Sequence, residues 1–148
     1  MWTGRLRRAS ALAAGGCAVL LSACSGLFGP DETRAGLSCL DDSPQCVEQR
    51  QSTLKAMLAD KEHRWVHEAP TPEAHASGVR LFAFRSSKKE LNCEELAHAR
   101  KEADAASKTL KGPAGKGLSA AQIARASMFA AEVSRELVAE ARARRCKV

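Results

Sequence analysis

The chain has 148 residues, with 23 basic and 17 acidic side chains and only 4% aromatic residues. That length holds one ordinary domain and not two. The formal charge of +6 includes Arg5, Arg7 and Arg8 at the very start, and a body without those three carries 20 basic groups against 17 acidic ones. So small a surplus speaks against nucleic acid as a partner.

Behind the basic start, Ala9 to Ala23 runs without a charge and is rich in Ala and Leu. It is shorter than the roughly 20 apolar residues that a membrane-spanning helix needs. A basic flank, a short apolar run and a small-residue site are the parts of a secretory signal peptide. The run ends in Leu21-Ser22-Ala23-Cys24, which resembles the lipobox of bacterial lipoproteins.

The resemblance covers only the amino-terminal part of the chain. It implies a diacylglycerol on the Cys24 thiol, loss of residues 1–23 as signal peptide and acylation of the new amino terminus. Cys17 lacks the matching neighbours and leaves with the leader. The implied location is the cell envelope, lipid-anchored to a membrane. Ser25 stands where an Asp retains enterobacterial members in the inner membrane, which favours a periplasm-facing outer-membrane site. Two or three acyl chains, at ~0.8 kcal/mol per buried methylene, hold a protein on a bilayer where one chain is marginal.

Residues 24–38 contain Gly, Pro and Ser with little periodicity and read as a flexible lipidated tether. The helical domain then occupies 39–148. It holds Cys39, Cys46, Cys93 and Cys146. An even number in an exported chain argues for two disulfides, with three pairings open.

Helix signals follow in order. Ser43-Pro44 offers an N-cap with proline at the first helical position. Val47, Leu54, Leu58 and Trp65 then make an incomplete apolar stripe, ended by Ala69-Pro70. Thr71-Pro72-Glu73 repeats the cap-and-proline signal for a segment reaching about Arg85. There Val79 to Phe84 suits a buried helix better than a strand with nothing to pair with, although Gly78 weakens the helix by ~1 kcal/mol. Asn92 with Glu95 approaches a capping box, and Leu96, Ala99, Ala103, Ala106 and Leu110 step by three and four behind it. Gly112 to Gly117 breaks that helix. Ser119 with Gln122 opens the last one, with Leu118 and Ile123 as a hydrophobic staple. Ile123, Ala126, Ala130, Val133 and Leu137 form its apolar face, Glu140 and Arg144 an i,i+4 pair, and it continues to Arg145.

The expected fold is all-α, a small antiparallel bundle of about four helices pinned by disulfides at one end. Followed up, down, up, down, the helices bring all four cysteines together, favouring Cys93–Cys146 across two helices and Cys39–Cys46 locally. Closing the longer loop contributes ~4 kcal/mol in the chain-entropy model.

Reactive chemistry finds little support. His63 and His67 have the one-turn spacing of two metal ligands, but a third such as His75 or His98 must come from elsewhere, and the His-Glu-x-x-His pattern is absent. A solvated helix end explains the pair. Asp41-Asp42 and Glu94-Glu95 are adjacent acids pointing apart, unlike a paired general acid and base. Cys93 with His98 lies on different helix faces, and a disulfide explains the cysteine. Trp65 and the phenylalanines read as core. The expectation is a non-catalytic envelope lipoprotein with no catalytic, cofactor or metal residues, membrane-bound through its lipid and acting on another envelope protein. The alternative is a small-ligand or metal-binding lipoprotein.

Overall fold

The computed structural model describes residues 40–147. Cys24, Cys39, the signal peptide and the tether lie outside the described residues. Helices begin where the capping chemistry puts them. Ser43 accepts from the Cys46 amide at 3.3 Å and Pro44 opens α1, Pro44–Ala59. Thr71 accepts from the Ala74 amide at 3.1 Å ahead of α2, Pro72–Ser77. α3 spans Val79–Ser87. Complete capping boxes, Asn92 with Glu95 and Ser119 with Gln122, start α4, Cys93–Lys111, and α5, Ala120–Ala143. No β-strand occurs among the described residues, so the Val79–Phe84 segment is helical. None of these helices is long and apolar enough to cross a membrane.

Two expected helices are broken, each for a local reason. α1 stops at Ala59 and does not reach Trp65. The Asp60 carboxylate accepts from the amides of Glu62 at 3.3 Å and Arg64 at 3.0 Å, a turn that competes with helix. Burial pushes the Asp60 carboxyl up, yet these backbone bonds and Arg64 leave it below its ordinary value. His63 takes the left-handed conformation at φ 50°, and a 3-10 turn, Arg64–His67, follows. Losing Trp65 from the helix shifts its apolar face. Cys46, Thr53 and Met57 are buried, whereas Val47 is half-buried and Leu58 exposed. The second break is Gly78, at φ 73°, which ends α2 and begins α3. A Cβ there would meet Phe129 at an ordinary 3.5 Å, so the backbone angle and not space selects glycine.

These breaks add a leg to the topology. Phe82 meets Phe129 and Arg85 meets Glu132 and Glu136, so α3 runs in the same direction as α5. Ser134 on α5 donates to Asp104 on α4 at 2.6 Å, and Cys93 joins Cys146, so α4 and α5 are antiparallel. α1 starts beside Gln122 and Arg125, and just past its end Lys61 and His63 reach Glu90 and Glu95. α1, α3 and α5 therefore point one way. The irregular segment 60–71 with α2 supplies the returning leg between α1 and α3. The Cys93–Cys146 disulfide, with Cα atoms 5.4 Å apart, pins one end of the bundle as expected. The extra leg carries Cys46 to the other end. Cys46 is disulfide-bonded too, while the Cys39 half of the expected local pair lies outside the described residues.

The core is densest between α4 and α5. Leu96, Ala99, Ala103, Ala106 and Leu110 are all buried against Ala126, Ala130, Val133 and Leu137, as the periodicity predicts, while Ile123 is half-buried. Alanine on both faces lets the helix axes approach closely. Gly115 follows the same logic in the connecting loop, because a Cβ there would lie 1.8 Å from the Leu110 carbonyl oxygen. α5 ends at Ala143, two residues early. Arg145 takes φ 58°, and the amides of Arg145 and Cys146 bond back to the carbonyls of Arg142 at 3.0 Å and Ala141 at 2.8 Å. That is a Schellman termination, and it turns Cys146 back toward Cys93. The expected Glu140–Arg144 pair does not form; Arg144 donates instead to the Leu91 carbonyl, tying the end of α5 to the α3–α4 turn.

Candidate functional site

The returning leg is held by a buried ion pair. Arg80 on α3 is completely buried, and its guanidinium donates to the Glu102 carboxylate on α4 at 2.8 and 2.6 Å. It also donates to the carbonyls of Trp65 at 2.7 Å and Glu68 at 3.1 Å. Its centre lies 5.8 Å from the Trp65 ring and 5.6 Å from the Phe84 ring. One cation thus satisfies two backbone acceptors of a segment whose only regular element is one 3-10 turn, which is what a buried irregular backbone requires.

The four histidines of the chain lie along the same seam. His63 Nδ1 is 3.3 Å from both oxygens of Glu95. The rings of His67 and His98 sit 5.7 Å apart, edge to face, at 62°. His75 is buried, its Nδ1 has no hydrogen-bond partner among the described residues, and it lies within the field of Glu102 and Arg80. Burial pushes the His75 imidazole below its ordinary value, with Glu102 opposing and Arg80 adding to the effect. Glu95, His98 and Glu102 step by three and four along α4, so they share a face. Each stands opposite one histidine of the returning leg. The one-turn pairing of His63 with His67 is therefore replaced by two cross-segment contacts. No group of three or more metal-ligating side chains converges among the described residues.

The paired acids have structural duties. Glu95 accepts from the Asn92 amide at 2.7 Å as well as meeting His63. Asp41 accepts from the Ser43 amide at 2.8 Å, the Ser43 side chain and then that amide hold its carboxyl below the ordinary value, and Asp42 pairs with Arg50 at 3.5 Å. Cys93 is in its disulfide and not beside His98 as a free thiol. Trp65 is core as expected, 4.9 Å from Phe84, and its indole N–H has no hydrogen-bond partner among the described residues.

Phe82 departs from the expectation for the phenylalanines, being 50% exposed. It packs at 5.1 Å on half-buried Phe129, whose neighbour in the chain, Met128, is 74% exposed. Arg85 bridges α3 to Glu132 at 3.1 Å and Glu136 at 2.8 Å, and Lys88 also bonds Glu136. The Lys88 hydrogen bond, with Arg85 adding, holds the Glu136 carboxyl below its ordinary value. These ties fix the two helices that display the aromatic pair. Beside it a shallow cleft of about 250 Å³ is lined by Leu40, Arg50, Gly78, Gln122, Arg125 and Phe129, among others.

Helical periodicity hid both features. Arg80 interrupts an apolar run and so reads as its solvent face, and Phe82 reads as core. The available signal was that Arg80 stands three and four residues before Ala83 and Phe84 and so shares their face, while Phe82, two residues from Arg80, lies on the other side of the helix. No family model, curated protein or solved structure matches this chain.

Proposed function

We propose that this chain is a non-catalytic lipoprotein of the bacterial cell envelope, anchored through lipidated Cys24, whose helical body is a protein-interaction or envelope-assembly module. The lipobox Leu21-Ser22-Ala23-Cys24 supports the anchor, and Ser25 in place of a retaining Asp supports the periplasm-facing outer-membrane location. The observation that carries the interaction reading is the Phe82–Phe129 pair with Met128, large apolar side chains presented on helices that ion pairs lock together. Interfaces draw most of their affinity from a few such anchors, and exposed apolar groups clustered in this way mark contact surfaces. The acids and thiols considered for catalysis serve as caps, ion-pair partners and disulfides.

Two measurements test the reading. Labelled fatty acid is expected in the wild-type chain and not in Cys24→Ser; equal uptake overturns the anchor. A photo-crosslinking residue at Met128 in intact envelopes is expected to capture one partner of defined mass, with none from the same probe at Lys101 on α4. Phe82→Ser, at matched abundance, abolishes that adduct. Equal capture from both positions, or none, overturns the interaction surface.

A further inference from the structure

We infer that His67 and His98 form a binding site for a divalent transition-metal ion with a preference for nitrogen ligands, such as Zn²⁺, Ni²⁺ or Cu²⁺. The site is independent of the interaction surface, which lies on α3 and α5. His67 ends the 3-10 turn and is exposed, and His98 on α4 is half-buried. Their rings are 5.7 Å apart at 62°, so they meet edge to face and are not stacked.

Three considerations single out this pair. Among the described residues neither ring has a hydrogen bond or an ion pair, so ligation breaks no existing polar contact. The other two histidines are committed or enclosed, His63 on Glu95 and His75 in the buried seam. The contact between His67 and His98 is ring to ring, edge to face at 62°. Two imidazoles so placed repel when both are protonated, and are neutral ligands when they are not. Zn²⁺, Ni²⁺ and Cu²⁺ favour imidazole nitrogen. Because no third side chain converges there, water completes the shell and the ion remains accessible and exchangeable. Both ligands are held from outside the pair. His98 is fixed by the core helix, while Arg80, bonded to the Trp65 and Glu68 carbonyls, holds the turn that carries His67. The second imidazole is therefore presented at high effective concentration once the first has bound.

The test uses the chain purified from envelopes in detergent and titrated with Zn²⁺ or Cu²⁺ alone. One saturable equivalent is expected by calorimetry, with a Cu²⁺ electron paramagnetic resonance spectrum showing coupling to two nitrogens. His67→Ala and His98→Ala should each weaken binding by about tenfold or more, as loss of one of two ligands requires. His63→Gln should bind as wild type, which separates this site from a one-turn His63–His67 pair. Circular dichroism confirms that each variant is folded. Absence of a saturable equivalent, or binding unchanged in the folded His67→Ala and His98→Ala variants, overturns the site.

Discussion

The α4–α5 hairpin and the returning leg, residues 60–78, are both packed into the same core, but different forces hold them. The hairpin is a seam of alanine and leucine, with a capping box at each helix start and a covalent pin at its open end. The leg has one 3-10 turn and one short helix, and to the burial of Trp65 and Val66 it adds a polar attachment: a buried arginine on two carbonyls and a carboxylate, and histidines opposite the side chains of α4. A regular helix satisfies its own backbone and can dock through shape alone. An irregular segment brings unsatisfied carbonyls into the interior and must be met by donors. The comparison teaches that the buried charge is where the fold is most exposed to a single substitution.

The largest effect is expected at Arg80. Arg80→Ala leaves Glu102 buried without its partner and two carbonyls unmet, and a loss of about 3–5 kcal/mol follows. Denaturant unfolding measures it. The double variant Arg80→Met with Glu102→Leu is expected to lose less than Arg80→Ala, because it removes the stranded charge. A double variant as unstable as the single one would show that the carbonyl bonds, and not the ion pair, hold the leg.

Next comes the pin. Cys93→Ser with Cys146→Ser should cost about 2–4 kcal/mol, seen as a lowered unfolding midpoint and faster proteolysis after Arg142. The hairpin keeps its alanine seam, so helical circular dichroism below the midpoint is expected to stay unchanged. If the variant loses helix at low temperature, the pin and not the seam maintains the pairing of α4 and α5.

The smallest effect is acid sensitivity in the seam. Folding lowers the His75 pKa from its ordinary value of about 6.5, so below that value the unfolded chain binds more protons at this position. His75 therefore contributes stability that is fully present above pH ~6.5 and is lost as the pH falls through the folded value. His75→Leu is expected to flatten the fall in unfolding midpoint between neutral and mildly acidic pH. An unaltered slope would assign the acid response to other groups.

The hairpin was legible in the residues and the leg was not, and the reason lies in the range of the interactions. Asn92, Glu95, Ser119 and Gln122 act within one turn, and Leu96 to Leu110 repeat at the helical period. Their outcome is thus written in neighbouring positions, as is the gap in the chain at Gly112 to Gly117. Cys93–Cys146 was reachable because two well-placed helices bring those residues together whatever else the chain does. Asp60 was a short-range stop signal too, but Trp65 beyond it, taken with Val47, Leu54 and Leu58, extended the expected helix through it. From that one extension came the misplaced face of α1, the missing leg and the placing of Cys46 with the pinned end.

The residues by themselves determined the helix starts, the all-helical class and the alanine seam, and favoured Cys93–Cys146 among three open pairings, because caps, periodicity and chain connectivity are local or nearly so. Only the tertiary structure decided that Arg80 is buried and Phe82 is exposed, that Glu102 waits 22 positions away for that arginine, and that His67 meets His98 and not His63. Those outcomes turn on which side of a helix faces a segment distant in sequence. A charge can be stable inside when a carboxylate and two carbonyls converge on it, and a phenylalanine is left outside when the core is already full.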